Sequence, residues 1–381
     1  FLLSAKEIEI SYRAGADAVL LIARILEKET FLQMAKKVSE LGLYALVEVR
    51  SEEDLAKLDY VMSRVEKSHF VCGVNSRDLA TFKIDLLKPL MMKEKISAIM
   101  GEDSRIIFES GVTTEECARA VGSMGFYGIL LGEAAAKNPE MAKKFVRAFE
   151  SARPTKNARF WAEYASSLLN LPPKSLPLIK ICGLTRKEDA LLAESLGSSF
   201  LGFIFSDTFP RSLSHENRLE ALLPELPSLK AKKICVITET ESETAQKAVS
   251  LVKEGVFDLL QFHKIPYEKI ALENAGLLEL PHYFAVGSME EAETIKQKGE
   301  LRVLQDSRKC SETTPLQEKG EIGECGNDCG GWLAGGITPE NIGKIIRGFS
   351  PELIDISSGI EDEGKIGIKN EEKMKALFSF R

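Results

Sequence analysis

The chain of 381 residues carries 50 Lys+Arg against 57 Asp+Glu, a formal charge of −7, with 44 % hydrophobic and 28 % charged residues. That balance belongs to a globular chain with a packed core and excludes disordered, collagenous and supercharged classes. The length exceeds one ordinary (β/α)8 barrel of ~250 residues but cannot hold two.

From the N-terminus, short runs of aliphatic and β-branched residues alternate with longer charged segments of helical period, the pattern of βα units. The first runs are Ala18–Ile22, Ala45–Val49, Phe70–Asn75, Arg105–Glu109 and Gly128–Gly132, five predicted strands. They lack in/out alternation, which predicts burial on both faces of a parallel sheet. From 151 to 176 the pattern lapses into Ala152-Arg-Pro-Thr-Lys-Asn157, a short helical piece near Trp161 to Leu169, and the proline-rich Leu171-Pro-Pro-Lys-Ser-Leu-Pro177. We read 151–176 as a linker between a first domain at 1–150 and a second at 177–381. Alternation resumes with Leu178–Cys182, Phe200–Phe205, Lys233–Ile237, Leu259–Phe262, Tyr283–Val286, Arg302–Gln305, Trp332–Ala334 and Leu353–Ile356. Eight strands over this length fit one compact barrel. The first turn, Cys182-Gly-Leu-Thr185, lacks the Gly-x-Gly-x-x-Gly signal of an open doubly wound sheet. The predicted fold class is α/β, which the resemblances given below make two (β/α)8 TIM-barrel units in tandem, the first reduced to five strands and the second complete.

No apolar run approaches the ~18 residues that span a bilayer, and Phe1-Leu-Leu-Ser-Ala-Lys6 has neither a basic n-region nor a cleavage signature. The expectation is a cytoplasmic protein without membrane association. The first residue is Phe, with no initiator Met, which reads as a start inside a longer gene product. Seven cysteines, at 72, 117, 182, 235, 310, 325 and 329, are scattered and odd in number, which suits a reducing compartment. An acidic chain with no Lys/Arg stripe offers nucleic acid little, because phosphate neutralisation needs clustered cations. The sequence specifies no oligomeric state.

In a parallel barrel the functional groups sit at the C-terminal ends of strands. In the second domain these are Cys182, Arg211, His263, Asp306, Gly335-Gly336 and Ser357-Ser358-Gly359. The small residues let backbone N–H groups approach a phosphate, to which a following helix N-terminus adds positive potential. A phosphorylated small molecule is the expected substrate. The bland readings stand beside these: a lone strand Cys as an inert hydrophobe, a strand-end Asp as a helix cap, Gly-Gly as a tight turn, and His263 as a hydrogen-bonded structural residue rather than an acid or base. In the first domain, Glu48 lies within an apolar strand, where a carboxylate is costly unless paired or used. A salt bridge at the barrel mouth is its structural alternative.

Lys180-Ile-Cys-Gly-Leu-Thr185, Phe209-Pro-Arg211, Gln305-Asp-Ser307, Leu333-Ala-Gly-Gly-Ile-Thr-Pro-Glu-Asn341 and Asp355-Ile-Ser-Ser-Gly-Ile-Glu361 together resemble phosphoribosylanthranilate isomerase over 177–381. The resemblance implies an Amadori rearrangement in tryptophan biosynthesis. Cys182 would be general base at the ribose C2′ proton and Asp306 general acid on the furanose ring oxygen. Arg211 would form a bidentate pair with the anthranilate carboxylate, while Gly335, Gly336, Ser357, Ser358 and Gly359 would hold phosphate. Positive charge at the barrel mouth would lower the Cys182 pKa.

The first domain, through Gly15-Ala-Asp-Ala-Val-Leu-Leu-Ile22, Leu46-Val-Glu-Val49, Gly73-Val-Asn-Ser-Arg-Asp-Leu79, Thr81-Phe82, Asp85, Glu109-Ser-Gly-Val112 and Gly128-Ile-Leu-Leu-Gly-Glu133, resembles indole-3-glycerol phosphate synthase. That family closes a ring with loss of CO2 and water. The resemblance makes Glu48 a catalytic carboxylate, Asn75 and Glu109 active-site polar groups, Ser110 a substrate contact, and Gly111 with Gly132 a phosphate cradle. It also implies that the five runs are strands four to eight, that the catalytic lysines of earlier strands lie outside this chain, and that this polypeptide alone lacks synthase turnover.

No metal or organic cofactor is implied, since proton transfer beside an imine is side-chain work. The segment Gly320–Trp332 departs from the isomerase pattern Gly-Gly-Thr-Gly followed by Phe-Asp-Trp, and Cys325 and Cys329, with Cys310 upstream, form only a weak zinc signal without a nearby His. The competing readings are a non-catalytic phosphate-binding barrel scaffold and another sugar-phosphate isomerase.

Overall fold

Thirteen parallel strands occur among the described residues of a computed structural model, which covers 1–78, 82–101, 103–172, 175, 177–306 and 331–379. Contacts divide the chain into two units, residues 1–170 with 297–301 and residues 171–296 with 302–381.

The first unit holds β1 (Ala18–Ile22), β2 (Tyr44–Val49), β3 (Phe70–Asn75), β4 (Ile106–Glu109) and β5 (Gly128–Leu130), hydrogen-bonded in that order. Burial alternates along β1 and β2, with Val19 and Leu21 buried and Leu20 exposed. One face is therefore covered, by helices such as Lys28–Glu40 with its buried Phe31, Met34, Ala35 and Val38. The expected two-sided burial fails here because successive side chains point to opposite faces and Leu20, Tyr44 and Leu130 stay 42–49 % exposed on strands. Helix starts follow local chemistry. Ser51 Oγ accepts from the Asp54 N–H at 3.2 Å while Asp54 Oδ2 accepts from the Ser51 N–H at 3.0 Å, a reciprocal capping box.

The stretch read as a linker contains the helix Lys156–Leu169, opened by Thr155 Oγ1 accepting from the Ala158 N–H. Trp161, Tyr164 and Ala165 recur at helical spacing and are buried, and Ser166 donates to Glu94 of the helix Leu87–Met100 at 2.9 Å. Its apolar face thus attaches it to the first unit, and the division falls between Asn170 and Leu171.

The second unit is a closed barrel of β6 (Leu178–Ile181), β7 (Phe200–Phe205), β8 (Lys232–Ile237), β9 (Leu259–His263), β10 (His282–Val286), β11 (Val303–Asp306), β12 (Trp332–Ala334) and β13 (Leu353–Ile356). β13 pairs with β6 to close it, with Asp355 in register with Lys180. Every residue of β6, β7, β10, β12 and β13 is buried, as strands covered on both faces must be. At the N-terminal ends of the strands, the Arg302 guanidinium grips Glu352 (Nη2–Oε2 2.7 Å), whose Oε1 also accepts from Trp332 Nε1 at 2.8 Å. Ionic and aromatic closure at that face serves stability, leaving the opposite face for chemistry.

Candidate active sites

In the second unit the strand ends converge on a cavity of about 380 Å3. Cys182, Arg211, His263, Asp306, Gly335, Gly336, Ser357, Ser358 and Gly359 all line it, with Ile204, Phe209, Val236 and Leu304 as apolar wall. His263 and Asp306 are the last residues of β9 and β11, so their side chains are aimed by the strands themselves.

Glycine is required at three of these positions. Gly335 (φ 104°) and Gly336 (φ 62°) take left-handed backbone. A Cβ on Gly359 would lie 1.9 Å from the Ile337 carbonyl oxygen. For the Ser357–Gly359 set the helix-dipole part of the phosphate expectation is corrected: β13 is followed by a three-residue 3-10 turn, Ser358–Ile360, too short to carry a macrodipole, so any anion there rests on individual backbone N–H groups.

Arg211 does not present a free fork. Its Nε and Nη2 donate to Glu361 Oε1 and Oε2 at 2.7 and 2.8 Å, so the bidentate pairing expected with a substrate carboxylate is taken by this chain's own glutamate. Glu361 Oε1 also accepts from Lys369 Nζ at 3.1 Å, and Lys369 Nζ donates to the Ser357 carbonyl at 3.0 Å. The remaining guanidinium N–H groups are what Arg211 can offer to a ligand.

The Cys182 thiol is 7 % exposed. Burial pushes its pKa up, helped by Asp355, against the pull of Lys180 and Lys369. The expected lowering is thus reversed, because desolvation outweighs the cations. The cations come from a buried layer that the sequence reading left unassigned. Lys180 Nζ donates to Asp355 Oδ2 and to Gln261 Oε1, both at 2.6 Å, and the Tyr283 hydroxyl donates to the same Gln261 Oε1 at 2.6 Å. Burial works against the Lys180 charge, yet Asp355 beside it holds the ammonium well above the ordinary lysine value. Gly202 on β7 makes room for the pair: a Cβ there would meet Cys182 Sγ at 2.7 Å and Lys180 Cε at 3.0 Å. The available signal was one polar residue inside each apolar run, Leu178-Ile-Lys-Ile, Leu259-Leu-Gln-Phe and Leu353-Ile-Asp-Ile.

In the first unit, Glu48, Asn75 and Glu109 stand on three neighbouring strands. Asn75 Nδ2 donates to Glu48 Oε1 at 3.2 Å. Glu109 is 3 % exposed, and burial first, then the Glu48 charge, pushes its pKa up to about 8. Gly73 is needed beside it, since a Cβ there would fall 1.8 Å from Glu109 Oε1. Glu109 therefore keeps its proton near neutrality, a carboxylic acid beside Glu48 that is suited to acid/base work. Ser110 (φ 68°) and Gly111 (φ 79°) turn the chain sharply after β4, and Gly132 follows the adjacent β5. A cavity of about 130 Å3 takes Glu48 together with Arg24, Arg50 and Asp54, of which the last three were not singled out from the sequence. Leu79, Thr81, Cys310, Cys325, Cys329 and the segment 307–330 lie outside the described residues.

The raised Glu109 pKa carries a stability prediction. The unfolded carboxyl ionises near 4.5 and the folded one near 8, so the stabilising difference is complete below the lower value and is lost as pH rises towards the upper one. First-unit stability, read from Trp161 fluorescence in a Trp332→Phe background, should fall between these values. Glu109→Gln should flatten that slope, and an unchanged slope would refute the assignment.

Among the described residues no helix is long and apolar enough to cross a membrane. A family model described as N-(5'-phosphoribosyl)anthranilate isomerase matches residues 179–379, and one described as indole-3-glycerol phosphate synthase matches residues 1–149. The chain is 26 % identical over 420 residues to a tryptophan biosynthesis protein of Phytophthora nicotianae, covering 95 % of this chain and 74 % of that protein. It is 24 % identical over 422 residues to a multifunctional tryptophan biosynthesis protein of Phycomyces blakesleeanus, covering 97 % of this chain and 52 % of that protein. Over 152 residues it is 36 % identical to an indole-3-glycerol phosphate synthase of Prochlorococcus marinus, covering 40 % of this chain and 50 % of that enzyme. The chain thus spans about half the length of the last two relatives. With more than half its residues matched by one family model, the chain belongs to the N-(5'-phosphoribosyl)anthranilate isomerase family and joins that barrel to a segment matching indole-3-glycerol phosphate synthase.

Proposed function

We propose that the second barrel isomerises N-(5-phosphoribosyl)anthranilate to 1-(2-carboxyphenylamino)-1-deoxyribulose 5-phosphate in tryptophan biosynthesis. The observation that carries this reading is the convergence of Cys182, Asp306 and the Gly335-Gly336 and Ser357–Gly359 turns on one cavity. Asp306 protonates the furanose ring oxygen and the C1′–O bond opens to an iminium. Cys182, as thiolate, removes the C2′ proton, and the resulting enolamine tautomerises to the ketose. The iminium charge adds to Lys180 and Lys369 in favouring the thiolate when substrate is bound. The phosphate sits against the two glycine-bearing turns.

For the whole protein we infer a second reaction, closure of that product to indole-3-glycerol phosphate with loss of CO2 and water. The first unit contributes Glu48, Asn75 and Glu109 to proton transfer and polar contact, Ser110 to substrate contact, and Gly111 with Gly132 to phosphate binding. Three neighbouring strand ends that bring together Glu48, Asn75 and the raised Glu109 carboxyl support this assignment.

The test is conversion of N-(5-phosphoribosyl)anthranilate by the purified chain; binding of substrate without turnover would favour a scaffold instead. The phosphate seat has its own check. Gly359→Ala forces a Cβ against the Ile337 carbonyl, an overpacking cost of about 1–3 kcal/mol, so KM should rise about tenfold with kcat little changed. An unchanged KM would remove this turn from the phosphate site.

A further inference from the structure

Beneath the cavity, Gln261 is 2 % exposed and its amide has one possible orientation. Two donors, Lys180 Nζ and the Tyr283 hydroxyl, converge on Oε1 at 2.6 Å each, which makes that atom the carbonyl oxygen. Tyr283 sits in register with Gln261 on the neighbouring strand, so the clamp is part of the barrel frame. The amide nitrogen Nε2 then faces His263 Nδ1 at 3.2 Å. An amide N–H donates only, so Nδ1 must be the accepting, unprotonated nitrogen, and a neutral imidazole carries its proton on Nε2. That nitrogen points at Asp306 Oδ2, 3.7 Å away. Burial, with Lys264 and Lys180, outweighs Asp306 and keeps the ring below the ordinary imidazole value, so it is neutral near pH 7. Immediately after His263 the backbone passes through left-handed φ (57°) at Lys264, whose N–H bonds the Ala285 carbonyl at 2.8 Å, pinning the strand end that carries the ring.

We propose that Gln261 and His263 form a positioning relay for the reaction acid: Gln261 selects the Nε2–H tautomer of His263, and that N–H holds Asp306 Oδ2 so that the transferable proton rides on Oδ1, towards the sugar ring oxygen. This rests on the isomerase reading given above and assigns neither residue a contact with the reacting atoms. The 3.7 Å separation is beyond hydrogen-bond length, and the relay requires it to tighten when substrate engages Asp306, as catalytic hydrogen bonds commonly do. Such outer partners, by orienting a reactive group, are worth about 10–100-fold where they have been removed from metal ligands, and a similar scale is expected here.

The test combines a spectroscopic and a kinetic readout on the full chain. Long-range proton–nitrogen NMR of the four histidine rings, with His263 assigned by its loss in His263→Gln, should show Nε2–H in the unaltered chain. Gln261→Glu keeps an oxygen for Lys180 and Tyr283 but replaces the donor with a second acceptor. His263 should then protonate on Nδ1, and kcat should fall about 10–100-fold with KM within about threefold. His263→Gln, which places an amide N–H near the former Nε2–H, should keep kcat within about tenfold of the unaltered chain, whereas His263→Leu should lose about 100-fold. An Nδ1–H ring in the unaltered chain overturns the relay, as does a Gln261→Glu variant with unaltered kcat. If Gln261→Glu does not fold, equal kcat in His263→Gln and His263→Leu overturns it instead. No turnover by the unaltered chain overturns both the isomerase reading and the relay, so the two failures are distinguishable.

Discussion

Cys182→Ala is expected to lower kcat of the isomerisation by about 1000-fold while KM stays within about threefold, and Asp306→Asn by about 100–1000-fold. Lys180, the cation beside the thiol, keeps Asp355 and Gln261 as partners when Sγ is removed, so the alanine variant should fold. What is lost is the base that takes the C2′ proton. Burial raises the Cys182 pKa, so the thiolate fraction is small near neutrality, and kcat/KM should climb with pH on the alkaline side. That limb should vanish in Cys182→Ala and persist in Asp306→Asn. Steady-state kinetics on the purified variants decides the matter: two variants with unaltered kcat would show that the isomerisation depends on neither residue and would remove the assignment.

The second large effect is on stability. Lys180 is wholly buried, and its charge is balanced by Asp355, whose Oδ2 lies 2.6 Å from Nζ; Asp355 Oδ1 has no hydrogen-bond partner among the described residues. Lys180→Met therefore leaves a carboxylate inside the barrel without the ammonium that pairs it, with only the more distant pull of Lys369, and also takes one of two donors from Gln261. Breaking a buried pair in this way costs about 3–5 kcal/mol. At about 2–4 °C per kcal/mol for a unit of this size, the melting midpoint of the second unit should drop by roughly 10 °C or more. Trp332, in the barrel interior, reports that transition by fluorescence in a Trp161→Phe background. Lys180→Met with Asp355→Leu should recover much of the loss, because removing both charges removes the desolvation cost as well. If the single variant melts where the unaltered chain does, Lys180 and Asp355 are not the balanced pair described here. Loss of activity in the double variant with stability restored would separate the role of this layer beneath Cys182 from its role in holding the fold.

The order of strands was legible because it is a local property. Leu178-Ile-Lys-Ile, Phe200–Phe205 and Leu353-Ile-Asp-Ile read as strands from side-chain composition alone, and the structure ends them within a residue of where the apolar runs end. The strand-end residues Cys182, Arg211, Asp306, Gly335, Gly336 and Ser357–Gly359 were legible as candidates for a related reason: in a parallel barrel, position along a strand implies position in the fold. Burial on both faces was wrongly expected for β1 and β2, since apolar composition says how a strand could be covered and not what is present to cover it.

Local apolar runs and turn residues were enough to name thirteen strands, the closed eight-stranded unit and the face that carries its chemistry, because backbone conformation and burial preference are set by near neighbours in the chain. Which polar groups meet was decided by closure of the barrel. Lys180 finds Gln261 81 residues away and Asp355 175 residues away, and Arg211 finds Glu361 150 residues away. Strand register and the absence of bulk at Gly202 and Gly359 bring these groups together, and at such separations no periodicity in the chain records who faces whom. The tautomer of His263, the raised thiol of Cys182 and the engaged fork of Arg211 all follow from those encounters, since each depends on distance and desolvation that exist only once the sheet has closed on itself.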